Sequence, residues 1–505
     1  VYRRQLIATA AATTLLAPVA RAAKTVPEPK PGPFDGSTVR MLAHAVAQHP
    51  FEKPSTTLPA PIAHLDFDAY RGIRYRKDRA LWAGQNLRFT AEFLPRGFLF
   101  PERVDMFVVA DGKADYVPYD PDIFDYADPK LKVADNLGYS GVRLHTPLNR
   151  PDYFDEVCVF QGASYFRAVA KGQTYGLSAR GLAIGTGSPK GEEFARFRAF
   201  WLERPQPGAD AIVVHALLDT PSAAGAYRFT IRPGQTTIFD VESVLYPRTD
   251  ITEPGIAPLT GMFDFDANNH NRFDDWRPAA HDSDGISFWT GGGEQIWRAL
   301  NNPVDLQFTA FTDTNPRGFG MMQRKRAFAD YRDLALNYQS RPSLFIEPVG
   351  AWNEGFVDLI ELPSPNEVND NMVAFWRPKD KLSAGGEFAF TYRMHWGWDC
   401  PLPTDLGRAV DTRIGAGPDP HSRQIVIDFA GNAVKSLQAD SLKVDIGASK
   451  GSIRNVVSEP NPDIGGWRLI FDLEPGGERL IDLHARILDQ SGKPLSETWI
   501  YRWTP

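Results

Sequence analysis

Two cysteines in 505 residues, Cys158 and Cys400, exclude a scaffold built on disulfides. They suffice for one bridge at most, and Cys158, inside the apolar run Val157-Cys158-Val159-Phe160, reads as a small buried hydrophobe. Clustered positive charge is also lacking. Lys+Arg number 55 against 62 Asp+Glu, a net charge of −7 without any long basic run, which excludes nucleic acid as a partner. Past the first two dozen residues no stretch approaches ~18 uninterrupted apolar positions, so the body of the chain has no means of stable membrane insertion. A fixed-period repeat of the propeller kind is missing, which argues against that architecture.

Cofactor signatures are equally sparse. The ten histidines show no metal-type spacing, and Gly291-Gly292-Gly293 lacks the strand-helix setting of a phosphate cradle. Asp264 to Asp275 imitates a calcium loop at its first, third, fifth and twelfth places. Asn269 stands where that loop needs glycine, and Asp275 where it needs a bidentate Glu, so the segment reads as a structural loop. Neither a metal nor a cofactor is expected.

What is present begins with an address. Arg3-Arg4 precedes the moderately apolar Ala8 to Val19, and Ala20-Arg21-Ala22 ends it with the small residues of a cleavage site before Ala23. Residues 1–22 therefore read as a twin-arginine export signal, and the mature chain as periplasmic. Lys24 to Gly36 is a Pro-rich lead-in, and Ser37 or Thr38 opens a helix to about Gln48 with Met41, Leu42, Ala45 and Val46 on one face. From Leu87 onward short apolar or alternating runs recur between Gly, Pro, Asn and Asp, the pattern of packed antiparallel sheets. The fold class is all-β. A large β-sandwich is expected over 23–398, a Pro/Gly-rich linker over 399–422, and a smaller immunoglobulin-like β-sandwich over 423–505.

Chemistry is expected between His281 and Asn371. Two acidic knots, His281-Asp282-Ser283-Asp284-Gly285 and Glu367-Val368-Asn369-Asp370-Asn371, sit in turn-forming sequence at either end of an aromatic-rich block. Splitting an acetal takes one carboxylic acid to protonate the leaving oxygen and one carboxylate to activate the attacking hydroxyl. Asp282 and Asp370 are the candidate pair. Spacing alone also fits turn aspartates that cap backbone N–H groups. Trp276, Trp289, Trp297, Tyr338, Trp352, Trp376 and Trp396 supply rings on which flat sugar faces stack, although strand aromatics pack inward by default.

Several motifs carry a resemblance over nearly the whole mature chain. They include Tyr70-Arg71-Gly72-Ile73-Arg74-Tyr75, Pro95-Arg96-Gly97-Phe98-Leu99-Phe100, Phe160-Gln161-Gly162-Ala163-Ser164-Tyr165-Phe166-Arg167-Ala168, Asn315-Pro316-Arg317-Gly318-Phe319-Gly320 and the terminal Ser496-Glu497-Thr498-Trp499. With them the chain resembles the periplasmic glucan biosynthesis proteins of the G and D type; the twin arginines and the wording from His281 to Trp289 lean toward D. The resemblance implies a mutarotase-like first sandwich, a β-1,2-glucan substrate and, in active relatives, anomer-inverting glycoside hydrolase chemistry. Carried onto matching positions, Asp370 becomes the general acid and Asp282 the general base. Tyr338 and Glu367 then line the site, and Asp284, Trp289, Trp297 and Arg341, from the same block, are expected as further substrate-binding residues. Hydrolysis and transglycosylation stay open, as does a non-catalytic role in which the protein binds and guides glucan beside an inner-membrane glucan synthase.

Overall fold

The computed structural model describes residues 26–133, 136–435, 437–438 and 441–505. The export signal read at 1–22 falls outside the described residues. Within them no helix is long and apolar enough to cross a membrane. The molecule is all-β. Fifteen strands join into one sheet, and the second large sheet, of eleven strands, faces it.

The space between these sheets is filled by the inward side chains of alternating strands. Phe160 and Phe166 from the smaller sheet stack at 5.2 Å, and Phe166 meets Phe239 of the larger sheet at 6.0 Å. Phe229 and Trp396 close the same aromatic layer. Cys158 is fully buried among these residues, and it and Cys400 are free thiols, not a bridge. The opposite face of the smaller sheet carries the polar members of the same strands, among them Glu92, Arg143 and Arg167.

The predicted N-terminal helix spans Thr38–Ala47, with a different face inward than expected. Val39, Ala43 and Val46 are buried against Phe107, Trp201 and Tyr246 on the back of the large sheet, while Met41 is 61% exposed. Asp66 caps the short helix Phe67–Arg71 through the Ala69 N–H at 2.8 Å.

The interval 399–422 is more than a linker. It contains the strand Arg408–Ala416, which pairs antiparallel with Arg423–Ala430. With Gly466–Glu474 and Ser452–Asn461 these form a four-stranded sheet. Three further strands, Leu442–Ala448, Ile481–Asp489 and Thr498–Trp503, close a sandwich over it, with Ile425, Phe471, Trp467 and Trp499 in the core. Those three strands also extend the large sheet, because Gln295–Ala299 and Thr498–Trp503 pair in parallel with Trp297 opposite Trp499. One hydrogen-bonded sheet thus runs through both sandwiches. Two buried ion pairs reinforce this region: Arg298 with Glu361 at 2.7 Å, and Arg324 with Glu497.

Candidate active site

The site is organised around the end of a strand that the sequence conceals. Pro254–Gly261 is buried along its whole length, in the middle of the smaller sheet. Two prolines speak against a central strand. Here Pro258 falls at an irregular step, where the register to Met372–Pro378 shifts between Ile256 and Leu259 and Ala257 takes φ +49°.

Asp282 and Asp370 are attached to opposite sides of this strand's end. On one side Asn371 donates its N–H to Gly261 O at 3.0 Å. Its buried amide bridges Phe263 N, Phe263 O and Leu362 O at 2.8, 2.9 and 3.1 Å, which fixes the loop that ends in Asp370. On the other side the Asp282 N–H donates to Met262 O at 2.8 Å, and Asp282 Oδ2 accepts from Met262 N at 3.2 Å. Asp282 and Asn371, the neighbour of Asp370, are thereby held by consecutive residues, Met262 and Gly261, at one strand end.

Their surroundings differ. Asp370 stands in a cleft of about 650 Å³ formed with Phe100, Gln161, Tyr165, Arg167 and Ser178. Its side chain keeps 30% of its exposure, and Arg167 Nη2 lies 3.8 Å from Oδ2. Crowding by the surrounding protein raises its pKa, and the charge of Asp282 raises it further; Arg167 opposes both. Asp282 is 3% exposed and lies beneath Arg341, whose Nη1 donates to Oδ1. The Arg341 guanidinium is 4.0 Å from the Tyr338 ring centre. Its aliphatic stem needs the glycine at 176, since a Cβ there would lie 2.8 Å from Arg341 Cβ.

Tyr338 and Glu367 belong to the same assembly. The Tyr338 hydroxyl donates to Glu367 Oε2 at 2.7 Å, and burial followed by this bond pushes its pKa up. Arg277 donates to the same Glu367 oxygen at 2.7 Å, to Asp333 at 3.1 Å and to Asp275 at 2.8 Å. One arginine therefore ties together three loops beside the cleft.

Asp284, Trp289 and Trp297 lie elsewhere. The chain bends between Ala280–His281 and Gly285–Trp289, so the strand alternation that would put Asp282 and Asp284 on one face does not hold. Asp284 turns toward the second sandwich, accepts from Arg324 N at 3.1 Å and Lys325 N at 3.3 Å, and has its pKa raised by burial. Trp289 and Trp297 pack in the second core; Trp297 covers Gly285 and carries the Arg324 guanidinium 3.5 Å from its ring centre. Trp352, Trp376 and Trp396 are in the main core, and Trp276 is 72% exposed. The substrate role expected for Asp284, Trp289 and Trp297 is thus replaced by a structural one. In the calcium-like loop, both oxygens of Asp266 receive Lys325 Nζ, which holds that carboxyl far below the usual range despite burial.

Residues that the sequence reading passed over line the cleft instead. Arg167 donates to Ser178 Oγ at 2.6 Å, and the Arg180 guanidinium is 5.1 Å from the Tyr165 ring centre. The signal was available in Tyr165-Phe166-Arg167-Ala168: Phe166 and Ala168 enter the core, and the alternate positions, one aromatic and one charged, face out. Phe100, Gln161 and Tyr165 also line an adjoining pocket of about 340 Å³, so the cleft continues past them.

Fold and cleft together define an all-β sandwich protein with an open, carboxylate-bearing trough. Comparison with known proteins narrows this. The family model "Periplasmic glucan biosynthesis protein, MdoG" matches residues 34–503. A "Glucans biosynthesis protein G" of Rhodopseudomonas palustris is 52% identical over 94% of both chains. Proteins of the same name from Bradyrhizobium diazoefficiens (50% identical, all of both chains) and Vibrio cholerae (45% identical, 94% of this chain and 88% of the relative) are similar along the same length. The chain belongs to the periplasmic glucan biosynthesis protein family, and with it to glucan biosynthesis. These relatives carry the G designation, whereas the sequence wording leaned toward D.

Proposed function

We propose that the protein acts in the periplasm on the β-1,2-glucan backbone, as an anomer-inverting endo-glucanase or transglycosylase. The observation that carries this reading is the pair of carboxylates brought to two sides of one strand end, Asp370 in an open cleft and Asp282 buried under Arg341. Asp370 has the attributes of a general acid: access to the cleft and a pKa raised by crowding and by a neighbouring negative charge. Asp282 is the general base. Because Arg341 covers it, its proton arrives through a relay, a substrate hydroxyl or a water, rather than by contact with the reacting carbon. Tyr338, Glu367 and Arg341 position this relay. Tyr165 and Phe100 offer ring faces to sugars, and Arg167 and Gln161 offer hydrogen bonds to hydroxyls. Water at the anomeric carbon gives shorter glucan; a sugar hydroxyl there gives a new linkage or a ring.

The burial of Asp282 also supports a second reading, a non-catalytic glucan-binding factor that guides chains leaving an inner-membrane synthase. Incubation with linear β-1,2-glucan separates the two. The enzyme reading expects the chain-length distribution to change with wild type and to stay fixed with Asp282→Asn and Asp370→Asn; a distribution untouched by wild type favours the binder.

A further inference from the structure

The open face of the smaller sheet holds a second cavity, away from the acid pair. It encloses about 570 Å³, within the ~300–1,000 Å³ range of small-molecule sites. Trp82, Tyr153 and Phe154 form its walls, and Glu92 and His145 its floor. Strand register locates it. Arg167 pairs with Val159, Val159 with Arg143, and Arg143 with Glu92, so the cavity lies three strands from Arg167 along one transverse row, about 14 Å at the usual strand spacing. Val159 lines the catalytic cleft, and Arg143 beside it is bonded to Glu92 Oε2 at 2.9 Å. Arg143 thus stands in the row between a residue of the cleft and a residue of the second cavity.

The lining selects the chemistry of the occupant. A cation would meet Lys77, whose Nζ is 4.7 Å from the Tyr153 ring centre. An anion would meet Glu92 and Asp152. A purely apolar molecule would leave the polar floor unserved. His145 is 8% exposed, and its Nδ1 has no hydrogen-bond partner among the described residues. Burial, with the charges of Arg143 and Lys77, brings its pKa down to about 3, so the ring is neutral and offers one donor and one acceptor. Tyr153 and Phe154, 41% and 37% exposed, present ring surface at the rim. Trp82 is held in its wall position by a backbone at φ +68°, which a bulky residue rarely adopts. Aromatic walls above a hydrogen-bonding floor, the neutral His145 ring beside a Glu92 carboxylate already paired with Arg143, suit an uncharged polyhydroxy ring.

We propose that this cavity is a distal subsite, which holds a glucosyl unit of the same chain that the acid pair engages. The inference rests on the glucan reading above and adds a place where a long chain is gripped outside the reacting centre. A chain that reaches from the cleft across three strands occupies both; a β-1,2-linked disaccharide bound at the acid pair does not reach.

Tyr153→Ala tests this without touching the core, and Tyr153→Phe restores the ring. Binding of long linear β-1,2-glucan is measured calorimetrically in the Asp370→Asn background, where the glucan stays intact, together with the ¹⁵N resonances of the His145 ring. The subsite predicts that Tyr153→Ala weakens long-glucan affinity about tenfold, the equivalent of one lost stacking contact, while Tyr153→Phe retains it. It also predicts that long glucan shifts the His145 resonances and that disaccharide affinity is the same in all three proteins. In turnover, Tyr153→Ala should raise KM for long glucan with kcat unchanged. Unaltered long-glucan affinity in Tyr153→Ala, or equal weakening of long glucan and disaccharide, overturns the proposal. If wild type binds glucan without cleaving it, the catalytic reading fails, and the affinity comparison still decides the subsite.

Discussion

Arg341 donates through Nη1 to Oδ1 of Asp282 while its guanidinium sits over the Tyr338 ring, 4.0 Å from the ring centre. The carboxylate is nearly sealed, with 4% of its side chain accessible, and its arginine partner keeps only 14%. Breaking such a pair from one side leaves a buried charge uncompensated. Arg341→Met is therefore expected to lower unfolding free energy by about 3–5 kcal/mol, and Arg341→Lys by less. Urea titration checks this. A loss below ~1 kcal/mol would mean that water reaches Asp282 and that Arg341 is an ordinary surface contact.

Asp370 makes the opposite contribution to stability. Its folded pKa is raised, so between the unfolded value near 3.8 and the folded value the native state binds more protons than the unfolded one. Stability from this group then falls as pH rises through that window. Asp370→Asn removes the penalty. The variant should match wild type below pH ~4 and exceed it at neutral pH, with the gap opening on the way up. Thermal unfolding across pH 3 to 8 measures it. A variant less stable than wild type at pH 7 contradicts the crowding inferred at the cleft.

Trp297 gives a test of the second core. A Cβ at position 285 would sit 2.1 Å from the Trp297 ring. Gly285→Ala must displace a fully packed indole, and with it the stacked Arg324, at a cost of about 1–3 kcal/mol or more. If Trp297 lined a sugar cleft instead, the ring would swing aside, stability would hold and glucan binding would change.

Much of the architecture was legible before any coordinates. Runs such as Glu156 to Phe160 and Thr237 to Tyr246 became strands because alternation and turn residues bound them on both sides. The two acidic knots were legible for the same reason: turn sequence marks loops, and loops present side chains. What stayed hidden depended on tertiary context. Pro254–Gly261 is a central strand in spite of two prolines, and it reveals itself only through the bulge that absorbs Pro258. Arg408–Ala416 was lost in Pro/Gly-rich surroundings. Trp289 and Trp297 illustrate a deeper limit, because a tryptophan in a strand reads alike whether its face meets a sugar or a second sandwich. That the last strands would extend the first sandwich's sheet has no local signature at all.

The central claim is that Asp282 and Asp370, fixed to one strand end, act on one glycosidic bond from a donor side and an acceptor side. Its most direct test is a proton NMR time course of linear β-1,2-glucan with wild type and with each Asp→Asn variant, read at the anomeric resonances. The account predicts that wild type first releases or forms the inverted, α-configured anomeric centre, and that each variant slows this by about 10²–10⁴-fold, the share of a general acid or base. Retained β configuration, or an Asp370→Asn protein that turns glucan over at the wild-type rate, would contradict it.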